Sequence, residues 1–88
     1  MGRVEPEIRN DAAAQRYVAT LDGQPAGHVA YLRAGNRIAL MHTEVDEEFE
    51  GHGIGGALAR FALDEARAEG RQVIPVCPFM RGWIERHP

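Results

Sequence analysis

Val45-Asp46-Glu47-Glu48-Phe49-Glu50-Gly51-His52-Gly53-Ile54-Gly55-Gly56-Ala57-Leu58 is the stretch whose reading decides the fold. An apolar strand runs into a short acidic turn, then a glycine-rich bend, then an Ala-rich helix. Gly51, Gly53, Gly55 and Gly56 remove side chains where the backbone curls, so successive N–H groups can converge on one concavity. A helix beginning near Ile54 adds its unpaired N–H groups and the positive end of its dipole. The combination predicts an anion site suited to phosphate or pyrophosphate; the alternative is a plain turn or a close helix–strand contact. Two better-known phosphate loops are excluded. The P-loop needs Lys-Ser/Thr after its last glycine, and Gly56-Ala57-Leu58 stands there. The dinucleotide fingerprint needs a longer βαβ unit with an acidic residue well downstream.

Working outward, residues 7–11 read as a short edge strand or a lead-in. Residues 15–21 alternate and are rich in β-formers, and Asp22-Gly23 is a strong hairpin signal. Residues 26–33 make the next strand, Ala34-Gly35-Asn36 a second turn, and residues 38–45 a third strand apolar enough to be central. After the glycines, a helix is expected over residues 54–69, with Ile54, Leu58, Phe61, Ala62 and Ala66 along its apolar stripe and Gly70 as its terminator. Residues 73–76 form a short strand that a right-handed crossover sets parallel to the strand ending at Val45. Pro75 cannot donate to a ladder, so it fits where two neighbouring strands splay apart. A closing helix is expected over residues 79–87, burying Phe79, Trp83 and Ile84, with Pro78 at its first turn. The expectation is a single α+β (α/β) domain over residues 1–88: an antiparallel meander leading into a βαβ unit with a C-terminal helix. Residues 1–6 are expected to be loose.

The chain has 88 residues, so it can bury only a modest core and would be a monomer or a weak homodimer. A net charge of −3 gives no reason to expect nucleic acid or an anionic membrane as partner. One cysteine rules out an internal disulfide; with no signal peptide or long apolar run, the expected compartment is the reducing cytoplasm. Met1-Gly2-Arg3 does not complete a myristoylation signal. No His/Cys/Asp/Glu group has metal-ligand spacing, so no metal site is expected.

The loop Glu50-Gly51-His52-Gly53-Ile54-Gly55 resembles the Arg/Gln-x-x-Gly-x-Gly/Ala pyrophosphate loop of the GCN5-related N-acetyltransferases, which bind acetyl-CoA. Glu50 departs from that pattern, which usually has Arg or Gln there. His42-Thr43-Glu44-Val45 before the loop, and Pro75-Val76-Cys77-Pro78 with the tail after it, are similar to the minimal single-domain, YjdJ-like branch of that superfamily. The resemblance covers the chain from about residue 17 onward. It implies the minimal fold of that family and acetyl-CoA as cofactor. The pyrophosphate would lie on Glu50, Gly51, His52, Gly53, Ile54, Gly55 and Gly56. The thioester arm would lie between the strands ending at Val45 and Val76, held by main chain near Thr43 and Val45.

Three residues are candidates for the chemistry. Cys77 ends a strand before Pro78, near a helix N-terminus that favours a thiolate. The alternative is a small buried hydrophobe. The resemblance adds that the minimal branch has a cysteine at this position, so a covalent S-acetyl role is one expectation. His42 and Glu44 could remove a proton from an amine acceptor, or simply be a bonded and a solvated strand end. In a regular strand they share a face with Ile38 and Leu40, a phase that a β-bulge would change. The acidic run Asp46-Glu47-Glu48 is a solvated turn, or an attraction for a cationic amine. The reading is therefore an acetyl-CoA-dependent N-acetyltransferase acting on an unidentified amine. The alternatives are a non-catalytic acyl-CoA-binding module and a small interaction domain whose glycines are only turns.

Overall fold

The computed structural model describes residues 5–87; the expectations on residues 1–4 and residue 88 lie outside it. Five strands form one sheet in the order β1-β2-β3-β4-β5. They are β1 (Glu7–Asp11), β2 (Arg16–Leu21), β3 (Gln24–Ala34), β4 (Arg37–Val45) and β5 (Gln72–Pro75). The first four are antiparallel neighbours and β5 is parallel to β4. Helix α1 (Ile54–Ala68) crosses from β4 to β5, and α2 (Pro78–Arg86) closes the chain. A 3-10 turn over Glu47–Phe49 joins β4 to the glycines. The expected meander, crossover and final helix are all present, and residues 7–11 resolve as an edge strand.

Local chemistry explains the joints. Asp22 and Gly23 both adopt positive φ, 54° and 80°, which is the geometry a two-residue hairpin needs to match strand twist. Helix α1 stops where Gly70 turns left-handed at φ 68°, as expected of a terminating glycine.

Helix α1 lays Ile54, Leu58, Ala59, Ala62 and Ala66 on the sheet, against Tyr17, Ala19, Val29, Tyr31, Ile38 and Leu40. The three alanines let the helix approach closely, and Arg33 Nη2 on β3 meets Glu65 Oε1 at 3.5 Å. In α2 the fully buried side chain is Met80. Trp83 and Ile84 are half-buried, and Phe79 stays 39% exposed, against the expectation that Phe79 would be buried. The reason is packing at the helix crossing. A Cβ on Gly55 would stand 2.7 Å from the Phe79 ring, so Phe79 lies over the first turn of α1 instead of entering the core.

Two features of the strands depart from a regular reading. Between Ala30 and Tyr31 the β3–β4 register shifts: Ala30 faces His42 but Tyr31 faces Leu40, so Met41 is an extra residue in β4. The bulge moves His42 and Glu44 off the face of Ile38 and Leu40, and brings Thr43 onto it. The second feature concerns Pro75. Gln72 N–H bonds Asn36 O at 2.7 Å, and parallel strands alternate, so Val73 and Pro75 turn their nitrogens away from β4. Because β5 is the edge of the described sheet, Pro75 needs no splayed neighbour to be tolerated.

Candidate active site

The two parallel strands part company early. Their pairing runs from Arg37↔Gln72 to Leu40↔Pro75 and stops. Val76 N–H turns back to Ile74 O at 3.1 Å, Cys77 N–H reaches Leu40 O at 2.9 Å, and the chain leaves into α2. Strand β4 continues alone through Met41–Val45, with β3 on its other side. The splay expected from the sequence is therefore present, produced by the ending of β5 and the turn after it.

Cys77 sits in this fork. It is the N-cap of α2 with Pro78 at the first turn, and it is 5% exposed. Its thiol donates to Thr43 Oγ1 at 3.3 Å across the fork. Burial pushes the Cys77 thiol up. The Thr43 hydroxyl and the backbone N–H groups of Met80, Phe79 and Thr43 outweigh burial, and the net shift is below the ordinary thiol value. Those N–H groups point at the sulfur without closing a side-chain cap hydrogen bond.

Beyond the free end of β4 lies the glycine bend. Glu50 N–H is taken by Glu47 O at 3.3 Å and His52 N–H by Phe49 O at 3.3 Å. The first bond of α1 is Ala57 N–H to Gly53 O at 3.0 Å. The N–H groups of Gly51, Gly53, Ile54, Gly55 and Gly56 consequently have no main-chain partner among the described residues. Gly51 and Gly53 have φ of 86° and 75°, and a Cβ on either would meet only open space. Backbone conformation, not packing, is what calls for glycine there. The side chains of Glu50 and His52 are exposed.

His42 and Glu44 stand on the opposite face of the sheet from Thr43 and Cys77. His42 Nε2 lies 3.7 Å from Glu44 Oε1, and His28 Nε2 on β3 lies 3.8 Å from the same oxygen. Burial, then the Arg16 charge, lowers the pKa of His28; Glu44 opposes this and His42 adds to it. A cleft of about 220 Å³ opens beside them, lined by Pro25, Gly27, His28, Glu44 and Asp46. The fold thus brings Cys77, Thr43 and the glycine cradle to the helix side, and His42 with Glu44 to the uncovered side, with the lone edge of β4 between them.

Sequence reasoning missed His28 as a neighbour of Glu44, and Thr43 as the partner of Cys77. Cross-strand register gives the first, Glu44 standing opposite His28; the second follows from the bulge at Met41 and the turn after β5, which left no mark in the sequence. No group of three or more His, Cys, Asp and Glu side chains assembles into a metal site among the described residues, and no helix there is long and apolar enough to cross a membrane.

The comparisons agree with this architecture. Two solved structures share the fold. Ard1 from Thermoplasma volcanium superposes with a TM-score of 0.58 at 24% identity, covering 65% of this chain and 39% of that one. Nourseothricin acetyltransferase superposes with a TM-score of 0.56 at 24% identity, covering 77% of this chain and 55% of that one. The chain therefore spans only part of their length, and the likeness concerns the fold. Protein NATD1 of Gallus gallus is 27% identical over 84 residues, which is 93% of this chain and 76% of that protein. The family model described as GCN5-related N-acetyl-transferase matches residues 16–88. The chain belongs to that family.

Proposed function

We propose that the protein transfers an acetyl group from acetyl-CoA to an amine. The observation that carries this is the continuity of three features. The lone edge of β4 starts at a fork holding Cys77, and ends at a bend where the N–H groups of Gly51, Gly53, Ile54, Gly55 and Gly56 have no main-chain partner among the described residues. These residues fit the cofactor. Five free N–H groups and a helix dipole suit a pyrophosphate, and a strand edge with nothing on one side suits an extended amide-bearing arm. When bound, acetyl-CoA supplies the activated thioester. Gly51, Gly53, Ile54, Gly55 and Gly56 hold the diphosphate through main-chain N–H groups, with Glu50 and His52 at its rim. The main chain of Thr43 and Val45 would hold the arm and would be placed to polarise the acetyl carbonyl.

The amine arrives over the uncovered face, where His42, next to Glu44, takes its proton. On the helix side the Cys77 thiol gives a proton to the departing sulfur. A second reading is favoured by the place of Cys77 in the fork, at the N-cap of α2 and 3.3 Å from Thr43 Oγ1, with its pKa lowered: the thiolate would attack the thioester carbon, the carbon–sulfur bond of acetyl-CoA would break with the CoA thiolate leaving, and the amine would then take the acetyl group from the S-acetyl cysteine and free the thiolate again. The protein would act in the cytoplasm, where its thiol stays reduced.

Mass spectrometry after exposure to acetyl-CoA, with and without a library of amines, tests the proposal. Acetylated amine with an unmodified protein supports direct transfer. One acetyl group on Cys77, absent from Cys77→Ala, supports the covalent route. Thermal stabilisation by CoA with no product from any amine would favour a binding module, and no stabilisation at millimolar CoA would overturn the cofactor assignment.

A further inference from the structure

Resting on the cofactor reading above, we infer that Phe79 is a binding residue for the pantetheine arm of the coenzyme, with the tip of its ring held against the first turn of α1 for that purpose. Phe79 lies two residues beyond Cys77, at the second position of α2, and its backbone N–H faces the Cys77 sulfur. Its ring meets Gly55, whose N–H is one of those in the glycine cradle: a Cβ there would come within 2.7 Å of the ring tip and 3.3 Å of two further ring atoms. The residue therefore bridges the sulfur end and the phosphate end of the proposed site, its main chain at the first and its ring at the second. That span is the part of the coenzyme between its thiol and its diphosphate.

Exposure supports the same assignment. The large apolar side chains left exposed are Leu32, Met41, Ile74, Val76 and Phe79. Three of them flank the fork. Met41 is the first residue of β4 past the last β4–β5 pair, Val76 is the first residue past β5, and Phe79 is the second residue of α2. A ring 39% exposed beside a glycine, with Met80 taking the buried position next to it, leaves an apolar wall without a cover. The pantetheine arm, with its branched dimethyl carbons and its extended amides, presents an apolar flank to such a wall and amides to a strand edge. Its adenine end lies past the diphosphate, outside the span of Phe79.

The test compares CoA with ADP, which keeps a diphosphate and an adenine but has no arm. Binding is read by the fluorescence of Trp83, the single tryptophan, whose Nε1 is 3.5 Å from where a Gly56 Cβ would be. Covering the exposed part of the ring corresponds to about tenfold in affinity. Phe79→Ala is therefore expected to weaken CoA about tenfold and leave ADP unchanged, with Phe79→Leu recovering part of the loss. Equal weakening of CoA and ADP would overturn the inference, because Phe79 would then only support the helix N-terminus. No change in either would overturn it as well. Wild-type protein that binds neither CoA nor ADP would instead sink the cofactor assignment itself, so the two failures are distinguishable.

Discussion

Thr43 and Cys77 come from different elements, yet their 3.3 Å contact is one of the influences that hold the thiol below its ordinary pKa against burial. Removing the hydroxyl in Thr43→Val takes away the largest of the influences that lower the Cys77 pKa and leaves burial opposed only by backbone N–H groups. The pH at which iodoacetamide begins to alkylate Cys77 should rise in that variant, while Thr43→Ser should stay near wild type. An unchanged profile would mean the hydroxyl is irrelevant to the sulfur. His28 gives the opposite kind of pH effect. Its folded-state pKa lies below the ordinary 6.5, so the unfolded chain takes up the proton first as pH falls. The melting temperature should therefore hold above pH 7 and decline as pH drops through 6.5 and below. His28→Gln should flatten that decline. The candidates for the site could be picked from the sequence, because a Cys before a Pro and glycines before an Ala-rich helix mark themselves by residue type. Which of them touch was not legible there, since one extra residue at Met41 reverses the facing of everything after it.

The helices show why neighbouring glycines need not have the same purpose. Gly55 is required by contact, since its missing Cβ would overlap the Phe79 ring at 2.7 Å. Gly56 has an ordinary 3.5 Å neighbour in Trp83. Gly55→Ala should therefore displace the ring, lower the melting temperature and weaken CoA. Gly56→Ala should be neutral or stabilising by roughly 0.5 kcal/mol, through helix propensity. Thermal melts of the two single variants decide this, and loss of stability in both would refute the distinction. Helix α1 and the strands were readable because their periods of 3.6 and 2 are written in the apolar positions. On α2 the expectation failed at Phe79 and missed Met80, while Trp83 and Ile84 are half-buried, because nine residues leave its period weakly defined. Its facing is settled by Met80 filling the core and Phe79 crossing Gly55, both matters of tertiary packing.

As a whole, the molecule is two layers: a sheet, and helices covering one of its faces. The core is small, with Tyr17, Ile38, Leu40, Ile54, Leu58, Met80 and Val29 as its largest fully buried side chains. Leu58→Ala should cost about 2–5 kcal/mol, a large part of the roughly 5–15 kcal/mol typical of a domain, and CoA should recover some of it by binding only the folded form. A denaturant titration with and without CoA measures both effects. The bare outer rim of β5 has a further consequence. Val73 still offers a hydrogen there, but the ring of Pro75 offers none, so an incoming strand from a neighbouring molecule finds a broken zipper. Restoring that hydrogen with Pro75→Val should let molecules line up edge to edge, visible as rising light scattering at high concentration. The proline would then act as a guard against clumping that a chain with so thin a core has reason to keep.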